Sequence, residues 1–429
     1  MPYANTLKKE TLILSTFFCF VCLCELAHVS INTNPPMPLR LAYIAIYVAY
    51  CFFAPAYIPL FTTINLIVER FSTVYGEFLP NTIWFHSFML LYCWMFIRHR
   101  RPVPGPSYNK NTYLLFLFFF FFVLCSYLVY ISEIHNVSLV ANSLFSLLFV
   151  AVLQKSDDHS IKTLLNVLFA SITFVCILGL LNYDKIAMDY ATSEGDVERL
   201  AWKDANYFSC FIGISMLITI FLLKSHKKRL FYYISLLIQS ICLMALISRG
   251  AILAFCLAAL FYFRKQLLSF KIVGYAIALS LIIWVFYQSG LLEGVLLRFA
   301  SEDMATGSGR DHIWEVGLTT FLSKDPMIIL FGAGEGQAIN MAYFSFAHWS
   351  PHNNYLEILF NYGFVGLSLF LIFLASLFLS GKNKEKRTIL LFILINCMTI
   401  VPFTFVTPLW IVIALLLIWD RRISNILQA

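Results

Sequence analysis

Nineteen consecutive residues, Tyr113 to Ile131, pass without a single charged side chain. In hydrocarbon every backbone N–H and C=O must find its partner within the protein, so such a run is spanned by a helix or by one strand of a closed barrel. Barrel strands alternate apolar and polar side chains over ~10 residues, and this run does not alternate. It is therefore helical, and similar runs recur from Ala205 to Leu223 and from Phe364 to Leu379. The composition agrees: 60% of the 429 residues are hydrophobic and 12% are charged, where soluble domains hold ~25% charge. The expected fold is all-α, a polytopic integral membrane protein with about 12–14 transmembrane helices of ~20 residues each. Residues 1–429 then form a single membrane domain, with no room for a separate soluble one.

The eleven cysteines lie in or at the ends of apolar segments, which argues against a disulfide framework and a cysteine metal site. The net charge of +7 sits in short connectors and is read as topology, with no nucleic-acid partner. Lys8 and Lys9 precede the first apolar run. Glu25, His28 and Asn34-Pro35-Pro36 make a poor cleavage site, so Thr11 to His28 reads as an uncleaved span. Leu41 to Val68 is too long for one straight helix and contains Pro55 and Pro59; it is either one tilted, kinked helix or a tight helical hairpin. Further spans are expected up to Leu181, from Ala205 to Phe263, from Ile272 to Tyr287, and from Phe364 to Trp419 with interruptions at Pro402 and Pro408.

Arg98 to Arg101, Lys224 to Arg229, Arg264 to Lys271 and Lys382 to Arg387 are basic connectors, which the positive-inside rule places in the cytoplasm. Two polar intervals are poor in Lys and Arg. Asn182 to Lys203 has five carboxylates against three Lys/Arg, and Leu291 to Asn354 has seven against three. Both are expected on the opposite side, the periplasm in a Gram-negative cell, as a smaller loop (182–203) and a large loop (289–354) that carries the chemistry. The polar stretch from Ser301 to Gly366 is the longest between apolar segments.

Within it, Ser308-Gly309-Arg310-Asp311 has the Ser-x-x-Asp form of a capping box. Trp314, Leu318, Phe321 and Leu322 then share one face of an amphipathic helix, on the membrane surface or lining a cavity. Arg310 in its first turn is unfavourable to the helix dipole, so it either reaches for an anion or snorkels away. Ser350-Pro351-His352 reads as a second helix start with Ser350 as cap. His352 then falls in the first turn, and Gly363 ends that helix. Gly332-Ala333-Gly334-Glu335-Gly336 lacks the context of a nucleotide site and reads as a flexible turn. His348 and His352 are four apart, but Pro351 interrupts the helix, and no metal is expected.

Two further features lie at the same membrane face. Ser248-Arg249-Gly250 joins two apolar runs; Arg249 is either a surface anchor or a ligand-binding group. Arg199-Leu200-Ala201-Trp202-Lys203-Asp204-Ala205-Asn206 leads into a span, and Asp204 or Asn206 could simply cap that helix. Arginines bind phosphate bidentately and keep their charge, while a histidine accepts a hydroxyl proton near neutral pH. Together they suit a lipid-diphosphate donor: guanidiniums hold the leaving group, an imidazole activates the acceptor, and no cofactor is needed.

Taken together, Ser248-Arg249-Gly250, Gly309-Arg310-x-x-x-Trp314, Gly332-x-Gly334, His352-Asn353-x-Tyr355-Leu356-Glu357, Gly363-Phe364-Val365-Gly366 and Arg199 with Asp204-Ala205-Asn206 resemble the O-antigen ligase/polymerase superfamily. The resemblance covers roughly Arg199 to Leu379. It implies a GT-C-like, metal-independent glycosyltransferase of the bacterial inner membrane, with its active site facing the periplasm. The implied partners are an undecaprenyl-diphosphate-linked glycan donor, a glycan acceptor, membrane lipid and a chain-length regulator. It implies His352 as the catalytic base, Arg249 and Arg310 as diphosphate ligands, and Arg199, Asn206, Asn353 and Tyr355 as further substrate-binding residues. An O-antigen polymerase is the favoured member. The alternatives are an O-antigen ligase acting on lipid A-core and, in a different class, a transporter of lipid-linked sugars, which would want its arginines in a central cavity.

Overall fold

The computed structural model describes residues 2–31, 35–72, 82–99, 109–130, 138–182, 187–192, 195–200, 205–225, 229–267, 284, 287–288, 310–341, 343–344, 347–348, 350–381, 383–405 and 407–423. The protein is an all-α bundle decorated by two short hairpins. The first seven helices are α1 (Pro2–Ile31), α2 (Met37–Phe53), α3 (Ile58–Ser72), α4 (Thr82–Ile97), α5 (Lys110–Val129), α6 (Ser138–Lys155) and α7 (Asp158–Leu181). Then follow α8 (Ala205–Ser225), α9 (Arg229–Ala245), α10 (Arg249–Leu267), α11 (Arg310–Leu322), α12 (Pro326–Phe331) and α13 (Ala338–Met341). The last four are α14 (Asn354–Leu379), α15 (Lys384–Asn396), α16 (Pro402–Phe405) and α17 (Thr407–Ile418). Among the described residues, four helices are long and apolar enough to cross a membrane, namely α5, α7, α8 and α14. The bent pair α2 and α3 makes a fifth, and five shorter apolar helices join them.

Asx residues set several of the helix starts. Asn109 accepts from the N–H groups of Asn111 and Thr112 at α5, Asp157 from Ser160 at α7, and Asn383 from Lys386 at α15, each satisfying donors the helix itself leaves orphaned. Helix α17 is apolar on every side and buried from Pro408 to Ile418, as such a helix must be when packed among others. It is the pillar of the bundle: Trp410 lies 6.0 Å from Phe116 of α5, and its carbonyl accepts from Ser146 of α6. Helices α5 and α14 run antiparallel, matched at Phe116 with Phe373, at Phe119 with Phe370, and at Thr112 with Ser376. Helix α10 buries a stripe of small residues, Ala251, Ala254 and Ala258, above Tyr262, and packs against α15, the close approach that small side chains allow.

The open question over Leu41 to Val68 resolves into a break. Ala54 leaves helical geometry, Pro55 starts a 3-10 turn, and the two helices meet at 108°, since neither Pro55 nor Pro59 can donate to a preceding turn. A buried polar cluster braces the bend: His86 bonds Tyr47 at 3.0 Å and Asn65 at 2.9 Å, and Asn65 donates to Tyr43. The smaller polar loop contains a two-stranded hairpin, β1 (Ala187–Thr192) with β2 (Gly195–Leu200), where no strand was expected. A second, minimal hairpin pairs β3 (Tyr343–Phe344) with β4 (Ala347–His348). The span expected over Ile272 to Tyr287 and the cap expected at Ser308 fall outside the described residues, apart from three isolated positions, 284, 287 and 288.

Candidate functional site

The second helix start lies three residues later than Ser350 suggested. Asn353 is the cap, accepting from Tyr355 N–H at 3.0 Å and Leu356 N–H at 3.2 Å, and α14 begins at Asn354. His352 therefore stands outside the first turn, in the left-handed region at φ 46°. Its N–H reaches back to Ser350 Oγ at 3.4 Å, and the residue is half-buried. The beginning of α14 is bolted to the connector after α15. Asn354 N–H donates to the Cys397 carbonyl at 2.7 Å, Asn354 Oδ1 accepts from Phe403 N–H at 3.1 Å, and Tyr355 O–H donates to the Leu394 carbonyl at 2.9 Å.

The same connector, 397–401, receives both arginine segments. Arg310, the first residue of α11, donates through Nη1 to the Thr399 carbonyl at 2.8 Å. One turn on, Trp314 donates to the Pro351 carbonyl at 2.7 Å, so α11 ties the connector to the residue beside His352. The buried face of α11 is Ile313, Gly317 and Phe321, with Trp314 at its margin and Leu322 exposed; the expected face is thus rotated, because Trp314 turns its ring edge toward a polar partner. Arg249 is the first residue of α10. Beside it, Gly250 is pressed so close to the Thr399 side chain that a Cβ would collide with Oγ1. Ser248 donates to Asn206 Oδ1 at 3.1 Å, which links this segment to the first turn of α8. Asn206 thus lies inside its helix and serves as a tie to Ser248.

Helices α10, α11 and α14 therefore all point their N-terminal ends at one short connector. Each end carries partial positive charge, and two of them begin with an arginine. Among the described residues only two non-glycine positions have positive φ, Ile247 at 48° and His352 at 46°. One lies two residues before Arg249 and the other is the candidate base itself. For a β-branched residue this conformation is a true outlier, and strain of ~1–3 kcal/mol persists only where the surroundings impose it. Arg199 falls on β2, opposite Met188; its side chain lies outside the described residues, as does Asp204.

The glycine-rich segment is not a flexible turn. Gly363 interrupts α14 with φ 66°, which frees the carbonyls of Phe360 and Asn361 from their helical donors. Ala333 N–H and Gly334 N–H replace those donors at 3.1 and 3.0 Å. The two chains pass so near that a Cβ on Gly332 or Gly363 would overlap the opposing backbone. Glu335, 1% exposed, then reaches across to cap α6, accepting from Leu139 N–H at 2.5 Å. Burial pushes its carboxyl up to about 7, and nearby Glu357 adds to this, against the opposing pull of the Leu139 N–H and Tyr362. Thr399 and Glu335 are the positions that sequence reasoning missed. For Thr399 the available signal was the break at Pro402: irregular backbone inside an apolar stretch is tolerated only where protein or a cavity satisfies it.

The fold and this polar end define a multi-pass membrane protein with one chemically equipped face. Residues 234–371, 138 of the 429, match the family model Wzy_C, described as O-antigen ligase. Over that segment the chain is similar to the O-antigen ligase/polymerase superfamily, and members of the Wzy_C family are glycosyltransferase-like enzymes. No curated protein and no solved structure matches it. The matched segment runs from within α9 through Arg249, Arg310 and His352 into α14.

Proposed function

We propose that the protein is an O-antigen polymerase, joining oligosaccharide repeats carried on undecaprenyl diphosphate at the periplasmic face of the inner membrane. The observation that carries this reading is the shared connector: Arg310 and Gly250 both meet Thr399, and the residue after the His352-Asn353 pair is bonded to Cys397. In the reaction an acceptor hydroxyl attacks the anomeric carbon of the donor glycan. The carbon–oxygen bond to the diphosphate breaks, and the diphosphate leaves with the electron pair. Arg249 and Arg310 neutralise the charge that develops on it, helped by the three converging helix ends. His352 takes the hydroxyl proton. Asn353 and Tyr355 act by holding the start of α14 in place, and Asn206 by anchoring the Ser248-Arg249 segment.

The family model's description as O-antigen ligase favours transfer to lipid A-core as the second reading. Purified protein incubated with lipid-diphosphate-linked repeats should form a lipid-linked dimer repeat without added lipid A-core. His352→Ala should abolish that product, and Arg249→Lys and Arg310→Lys should impair it, because an ammonium lacks the guanidinium fork. A product that forms only when lipid A-core is supplied would establish the ligase reading. Full activity in all three variants would end the proposal.

A further inference from the structure

Helix α12, Pro326-Met327-Ile328-Ile329-Leu330-Phe331, is apolar on every side, and none of its residues is buried. A helix hydrophobic all round belongs in a protein core or in a membrane. Ile328 and Ile329 pack inward on the small core of Phe321, Leu359 and Phe360. Outward, Met327 is 62% exposed, Leu330 45% and Phe331 41%.

That outward face continues an existing surface. The backbone at Leu330 and Phe331 lies against Gly363, so both residues adjoin Phe364. Phe364, Leu371, Ile372 and Leu379 are exposed, and their spacing of seven or eight puts them in one stripe along α14. On a multi-pass membrane protein such a stripe faces acyl chains. From Leu379 to Phe364 it runs roughly 24 Å at 1.5 Å per residue, most of a ~30 Å hydrocarbon layer. Helix α12 meets the stripe at its Phe364 end. Ser323, Lys324 and Asp325, immediately before α12, are all exposed and polar.

We propose that α12 is an interfacial anchor whose docking partner is the phospholipid bilayer itself. Met327, Leu330 and Phe331 sit among the acyl chains at the hydrocarbon boundary, and Lys324 extends to the phosphates. Because Gly332 and the amides of Ala333 and Gly334 follow at once and are locked onto the α14 break, the anchor fixes the depth of the whole polar end in the membrane. This holds whatever group the protein transfers.

The test uses the full chain in vesicles of phosphatidylcholine and phosphatidylglycerol. Met327→Trp and Leu330→Trp, made separately at exposed positions, each add fluorescence over the wild type. Lipids brominated near the ester end of the chain should quench about half or more of that added emission, with weaker quenching by lipids brominated near the methyl end and by aqueous acrylamide. Acrylamide quenching without lipid quenching would put α12 in water, and quenching by neither would put it under protein; both results overturn the proposal. Stronger quenching by the deep bromines would overturn the interfacial placement. Loss of the folded chain in both variants, judged by gel filtration, would contradict the exposure on which the proposal stands and would also overturn it.

Discussion

Helices α10, α14, α15 and α17 each run between two polar ends, and the two ends are built differently. At the far end Lys386, 1% exposed, donates to Ser380 Oγ at 2.7 Å and to the Ser380 carbonyl at 3.1 Å, and pairs with Asp420 at 2.5 Å. Trp419 donates to Asn383, Arg387 donates to the carbonyls of Phe378 and Gly381, and Tyr262 donates to Glu385. There, the Lys386–Asp420 ion pair and side-chain bonds to carbonyls, hydroxyls and amides close the bundle. At the His352 end, polar side chains are fixed by backbone carbonyls and caps, two residues are held in left-handed conformations, and three helix N-termini converge. Under the proposed function, the first arrangement serves as a lock, whereas arginines set beside carbonyls and helix ends serve to hold an anion. The same four helices thus separate the two ends by the apolar length of the bundle, roughly 18 Å along α17 and roughly 28 Å along α10 at 1.5 Å per residue.

The sharpest test of that division is His352→Gly. Glycine adopts φ 46° without strain, so the folded protein should melt within ~1 kcal/mol of wild type. Transfer activity should nonetheless fall by ~10²–10⁴-fold, the usual contribution of a general base. Retained activity would mean that the backbone, and not the imidazole, is what this position supplies. Lys386→Met should do the reverse. Removing one partner of a buried pair costs ~3–5 kcal/mol, so the variant should unfold at lower temperature in detergent while each folded molecule keeps wild-type turnover. Adding Asp420→Leu should recover much of the loss. A fall in turnover without a fall in melting temperature would break the comparison.

The smallest effect concerns Glu335, on the equipped side yet serving structure. Its folded-state value of about 7 lies above the ordinary 4.5, so the folded protein holds this proton more tightly than the unfolded chain. The associated stability is fully present below pH 4.5, is lost as pH rises toward 7, and changes no further above that. Wild type should therefore lose melting temperature across that window, by the equivalent of roughly 1–3 kcal/mol. Glu335→Gln, whose amide oxygen can still accept from Leu139 N–H, should flatten the slope. An unchanged slope would remove Glu335 as its source.

The broad fold was legible because apolar runs long enough to span a bilayer have few alternatives. Both arginine segments and His352 were legible as candidates because cationic side chains are scarce in those intervals and sit at the ends of apolar runs, and the structure brings their segments to one connector. What could not be read was set by contacts distant in sequence. The start of α14 moved from Ser350 to Asn353 because Asn354 is held by Cys397 and Phe403, more than forty residues away. Gly332 to Gly336 looked loose because its partner is a break in α14 that only the folded chain brings near. For Thr399 the nearby break at Pro402 marked only the neighbourhood; its role lies in its carbonyl and in the space that Gly250 leaves beside it.

The convergence of α10, α11 and α14 has a consequence for anyone who mutates the arginines. If the proposed function holds, part of the attraction for a diphosphate at this end arises from aligned peptide dipoles, which no side-chain replacement can erase. A protein stripped of both guanidiniums should still show a residual, salt-sensitive pull on pyrophosphate. Binding and turnover will then fade by different degrees, and affinity alone will understate how much the two side chains matter.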